Sequence, residues 1–122
     1  MKIEKAHESL HAAEICFAEK LYNSTANRAY YAIFQAAIVA LAHIGIHSKA
    51  GQWSHEGLRA TFGTELTRAR KIYPNSLVRY LADSLSIRNQ ADYEDVAIST
   101  QQARQVLNWA REFLTTIEQG MV

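Results

Sequence analysis

Cysteine occurs once, at Cys16, so no internal disulfide can form and no thiolate-based zinc site can be built. Proline also occurs once, at Pro74, and the five glycines are scattered, so the chain should be folded throughout and poor in loops. That scatter leaves no phosphate-cradling glycine loop and no strained elbow to present a nucleophilic serine. No apolar signal core follows Met1-Lys2-Ile3-Glu4-Lys5. The longest apolar run, Ala29 to Ile46, is interrupted by Gln35 and His43 and carries two tyrosines near its start. It suits a buried central helix better than a membrane span. These absences point to a cytoplasmic protein that meets no membrane. A net charge of +1 argues against a globally basic nucleic-acid binder.

With 122 residues, 48% of them apolar, the chain can build one domain with a real core, taken as residues 1–122. Helical periodicity runs through it and no strand pattern does. The first helix is expected from Lys2 to Leu21, with Ile3, Ala6, Leu10, Ala13 and Phe17 inward. Asn23-Ser24-Thr25 reads as a turn and N-cap for a second, from Thr25 to Ile44, whose apolar residues cover most of its circumference. Gly45 ends it, and Ile46 to Gln52 is a loop. A third helix starts at Ser54 with Leu58, Phe62, Leu66 and Ala69 inward. Gly57 and Gly63 each weaken it by roughly 1 kcal/mol relative to alanine, so a bend or break is expected there. Pro74-Asn75-Ser76 stops it and caps a fourth, from Leu77 to Asp92. Ser99 and Gln102 have the form of a capping box opening the last helix, which Gly120 terminates. The fold expected is all-α, an up-and-down bundle of four or five helices.

His7-Glu8-Ser9-Leu10-His11 has the spacing of a helical zinc-peptidase motif, in which two histidines hold the metal and the glutamate acts as base. The context opposes it: no sheet is expected to bind a peptide, and Leu10 belongs to the core stripe. No metal and no cofactor is expected. His43 and His47 are also four apart, but Gly45 lies between them.

The residue that stands out is Arg88. Leu77, Leu81, Leu85 and Arg88 share one helical stripe, and Asp92 lies four residues on. A guanidinium continuing an apolar stripe needs a partner for its charge, either Asp92 or a ligand phosphate. From Arg59 to Arg88 six basic residues face only two acids, Glu65 and Asp83, which is enough to guide a phosphate-bearing partner. Arg28, Tyr31 and Gln35 share one side of the second helix and could form a polar network or line a cleft, whereas Tyr30 falls on the core side.

Taken together, Arg28-Ala29-Tyr30-Tyr31-Ala32-Ile33-Phe34, Ser54-His55-Glu56-Gly57-Leu58, Arg88-Asn89-Gln90-Ala91-Asp92-Tyr93 and Ala110-Arg111-Glu112-Phe113 resemble the HEPN family (higher eukaryotes and prokaryotes nucleotide-binding). The likeness is to its small stand-alone prokaryotic members and covers essentially the whole chain in order. It implies a helical-bundle homodimer, encoded beside a minimal nucleotidyltransferase in a toxin–antitoxin-like pair. Many members are metal-independent ribonucleases in which an arginine holds the scissile phosphate and a histidine four to six residues later moves protons. Arg88 matches the arginine. The histidine window holds Tyr93, Glu94 and Asp95 instead, and the last histidine in the chain is His55. Tyrosine, with an ordinary pKa near 10, is a poor base at neutral pH.

Three readings are open, the last of them the metal hydrolase of His7, Glu8 and His11 that the context opposes. In the first, the protein is a binding partner of a nucleotidyltransferase, holding nucleotide or RNA phosphate through Arg88 with Asn89, Asp92, Tyr93, Arg28 and Tyr31. In the second, it is a ribonuclease toxin using Arg88 with Tyr93 or His55 as a substitute acid–base group. Whether it is an enzyme is left open between them.

Overall fold

A computed structural model describes residues 1–121. Among them are five α-helices and no strand: α1 (Ile3–Ala18), α2 (Tyr22–His43), α3 (His55–Phe62), α4 (Asn75–Tyr93) and α5 (Thr100–Gly120), with a π-helical segment, Gly63–Ala69, running on from α3. The fold is all-α. α2 lies at its centre, packed against α1, α3, α4 and α5. Ala29, Ala32, Ala36, Ala37 and Ala40 of α2 are all buried, and such small side chains let neighbouring helices approach closely. Phe62, Phe113, Leu41, Leu58, Leu107 and Ile117 fill the space between them.

Several ends differ from expectation, each for a local reason. α1 stops at Ala18, short of Leu21, because Lys20 adopts φ 60° and turns the chain. α2 then begins at Tyr22, so Asn23-Ser24-Thr25 is helix rather than turn and cap. Thr25 is buried in the first turn, its hydroxyl donating to the Leu21 carbonyl at 2.9 Å. Asn23 instead accepts from the Ile98 backbone N–H at 3.0 Å, which ties the α4–α5 connection to the start of α2. Gly45, at φ 83°, lies just past the end of α2, a conformation glycine adopts without strain.

The third helix breaks where expected. Ser54 caps α3 by accepting from Gly57 N–H at 2.9 Å, and at Gly63 the α-helix passes into the π segment. The wider turn rotates the residues beyond it: Leu66 stays buried but Ala69, expected inward, is exposed. Pro74 precedes α4, yet neither Asn75 nor Ser76 caps it. The Ser99–Gln102 capping box is formed in both directions.

α5 does not stop before Gly120 but includes it. Glycine is needed there for a different reason. A Cβ at Gly120 would overlap the Tyr73 ring, which is buried and fixed by donating to the Ile117 carbonyl at 3.1 Å. Helix propensity alone favours Gly120→Ala by about 1 kcal/mol, whereas crowding a fixed ring costs about 1–3 kcal/mol. The substitution is expected to lower the urea midpoint, and a raised midpoint would contradict this account of the contact.

Candidate functional site

α4 carries its apolar stripe toward α2. Leu77 and Leu81 are buried, Leu85 is half-buried, and Arg88 comes next with its side chain only 12% exposed. At that depth the guanidinium must find partners within the protein. Its Nη2 donates to the Tyr31 hydroxyl and its Nη1 to Asn89 Oδ1, both at 3.3 Å, which is long for such bonds. Its Nε lies 2.9 Å from Asp92 Oδ2. That proximity is Coulombic only: the N–H is not directed at the oxygen and has no hydrogen-bond acceptor among the described residues. Asp92 Oδ2 accepts instead from Asn27 Nδ2 at 3.0 Å.

Two pairs at helical spacing therefore face each other, Asn27 and Tyr31 on α2 and Arg88 and Asp92 on α4. The Tyr31 and Tyr93 rings each lie 5.5 Å from the Arg88 guanidinium carbon, close enough for cation–π attraction. Tyr93 is 73% exposed, so its phenol faces water rather than the interior of the site.

His55 lies at the edge of this cluster. It is the first residue of α3, and its Nδ1 is 2.5 Å from the Tyr30 hydroxyl. Its ring packs on Phe34 and Tyr30 at 5.2 and 5.4 Å between centroids. Burial pushes the Tyr30 phenol well above its ordinary pKa, and Tyr31 adds to the rise, so Tyr30 stays protonated. With no other hydrogen-bond acceptor among the described residues, it donates to Nδ1 and leaves the ring proton of neutral His55 on Nε2. Burial, and then the Arg88 charge, hold His55 below the usual imidazole value. A neutral imidazole near an arginine is able to accept a proton near pH 7.

Above the cluster opens a cleft of about 770 Å³ between α2 and the connection to α3. Tyr31, Phe34 and Ile38 form its α2 wall and Trp53, His47 and His55 line it from the other side.

Of the candidates read from the sequence, Arg88, Asn89, Asp92, Tyr93 and Tyr31 come together, with His55 beside them. Arg28 lines a smaller hollow of about 160 Å³ with Asn27 and Asp92. The network suggested for Arg28, Tyr31 and Gln35 does not form: Tyr31 meets Arg88, while Gln35 accepts from Ser9 on α1 at 2.7 Å. Asn27, which the sequence reading did not single out, is the α2 residue that reaches Asp92. His7 Nε2 donates to Glu118 Oε1 at 2.8 Å across α1 and α5. No group of three or more His, Cys, Asp or Glu residues suited to a metal occurs among the described residues. No helix there is long and apolar enough to cross a membrane.

The chain matches the HEPN domain over residues 2–120. It is 31% identical over 121 residues to a UPF0332 protein of Gloeobacter violaceus, covering 92% of each chain. It is also 31% identical over 122 residues to a Methanocaldococcus jannaschii protein named "putative toxin", covering 98% of this chain and 85% of that one. A second M. jannaschii protein of the same description is 26% identical over 121 residues, covering 98% of this chain and 79% of the other.

The electrostatics can be checked directly. In an NMR titration His55 should protonate below the ordinary histidine value. Arg88→Ala, by removing a nearby positive charge, should raise its midpoint only part of the way back, since burial is the larger cause. An unmoved or lowered midpoint would show that Arg88 does not act on His55.

Proposed function

The chain belongs to the HEPN domain family, and from that premise we propose that it is the helical, phosphate-binding partner of a minimal nucleotidyltransferase in a toxin–antitoxin-like pair. It works in the cytoplasm as a homodimer, with the end of α4 flanking the two-fold axis so that two copies of Arg88 share one cleft. The relatives named putative toxins support a place in such a pair. The observation that carries the reading is the incomplete satisfaction of Arg88. Its charge is neutralised at rest by Asp92, yet its two hydrogen bonds are long and Nε has none. A phosphate oxygen offers the acceptor geometry that the Asp92 carboxylate misses. Asn27 restrains Asp92, and Arg28 beside it adds positive charge to receive the anion.

A second reading is a metal-independent ribonuclease. It is favoured by one specific observation, the placement of His55, hydrogen-bonded at Nδ1 to Tyr30, close enough to Arg88 to feel its charge. Here arginine would hold the scissile phosphate while His55 exchanges protons with the attacking 2′-hydroxyl or the leaving group. Tyr93 is less suited, since its ring is 73% exposed and faces water rather than the interior of the site.

One experiment separates the two. Purified protein should bind RNA or nucleotide and cleave little or none. Arg88→Ala should weaken binding about ten- to a hundredfold, the value of losing a charge-assisted hydrogen bond, with the helical circular dichroism retained. Robust cleavage leaving 2′,3′-cyclic phosphate ends, abolished by both Arg88→Ala and His55→Ala, would replace the first reading with the second.

A further inference from the structure

The cleft beside Arg88 is not explained by phosphate binding alone. Tyr31, Phe34 and Ile38 recur at three- and four-residue spacing on α2, so they form one apolar face. The connection from Ile46 to Trp53 folds across from that face and leaves about 770 Å³ between, within the range of small-molecule sites. Five of the lining groups carry π-faces: Tyr31, Phe34, Trp53 and the imidazoles of His47 and His55. Tyr31 and Phe34 meet edge to face at 6.3 Å, and Phe34 and His55 do so at 5.2 Å. His47 and Gln52 at the rim add polar groups that can donate or accept.

Tyr31 joins this cleft to the arginine. Its ring forms part of the wall, and its hydroxyl accepts from Arg88 Nη2. A ligand filling the space would therefore be planar and aromatic at one end and anionic at the other. We propose that the cleft is a base subsite, taking one unstacked nucleobase against Phe34 and Trp53 while its phosphate meets Arg88. The inference rests on the phosphate-binding reading of Arg88 and extends it to the class of nucleic acid. A base in a duplex is stacked and paired and cannot enter, so the ligand is a free nucleotide or an unpaired residue of RNA.

Calorimetric titration with 5′-AMP and with ribose 5-phosphate, which lacks the base, tests the claim. Stacking of one base is expected to make 5′-AMP bind about tenfold more tightly or better. Trp53→Leu, which keeps apolar bulk but removes the π-face, should erase most of that difference and leave ribose 5-phosphate unaffected. In a Trp109→Phe background the remaining emitter is Trp53, and 5′-AMP should quench it. A single-stranded RNA hexamer that binds more tightly than 5′-AMP would identify an RNA chain as the source of the base. Equal binding would identify the free nucleotide. Both fit the subsite, whereas a blunt RNA duplex that quenches Trp53 equally well would overturn it. Equal affinity for 5′-AMP and ribose 5-phosphate, with both lost in Arg88→Ala, would also overturn the base subsite but leave the phosphate reading intact. Binding indifferent to Arg88→Ala would remove the phosphate reading and this inference with it.

Discussion

A guanidinium keeps its charge at every accessible pH, so an arginine that continues an apolar stripe must be neutralised where it lies. The packing of α2 against α4 reflects that requirement at Arg88. Two pairs at one-turn spacing meet across the interface: Asn27 restrains Asp92, Asp92 balances Arg88, and Arg88 reaches Tyr31. Sliding either helix by a turn would keep the Arg88–Asp92 pair, which lies within α4, but would lose the hydrogen bonds that Asn27 and Tyr31 make to it across the interface. The polar contacts thus favour the same register of α2 against α4 as the buried leucines and alanines around them.

The same contacts place the chemistry. Tyr31 is held with its ring in the cleft and its hydroxyl on Arg88. One position along α2, Tyr30 turns inward and presents its protonated phenol to His55, which the Ser54 cap holds at the start of α3. The adjacent tyrosines therefore do different work, one setting an arginine and the other a histidine tautomer. The break at Gly63 belongs to the same arrangement. α3 stays short, and the chain shifts into a π segment before returning to α4. The result is an arginine with unused hydrogen-bonding capacity beside an open aromatic hollow, in a chain whose relatives include proteins named for toxicity.

How much of this the sequence carried depended on range. The Ser99–Gln102 box, the break near Gly63, the end of α2 at Gly45 and the Leu77–Leu81 stripe were legible because each is decided within a few residues. The start of α2 was not, since Asn23 and Thr25 have good capping side chains that the fold uses elsewhere, one on Ile98 and one inside the helix. The Arg88–Asp92 proximity was readable from spacing. Its partnership with Asn27 was not, because the relative register of two helices is set by tertiary packing. His55 could not be placed near Arg88 from so distant a position in the chain. The cleft depends on how the loop before α3 folds back, and no local pattern in Ile46 to Trp53 announces it.

The central claim is that Arg88 is a largely buried cation with hydrogen-bonding capacity reserved for a phosphate. It is tested most directly by observing its Nε–H group in a nitrogen-edited NMR spectrum while 5′-AMP is added. The account predicts that the Arg88 Nε–H signal shifts and becomes better protected from exchange as an acceptor arrives, with Arg104 and Arg111 unmoved. An Arg88 signal unchanged at saturating nucleotide would contradict it, because the arginine would then be a structural ion pair and nothing more.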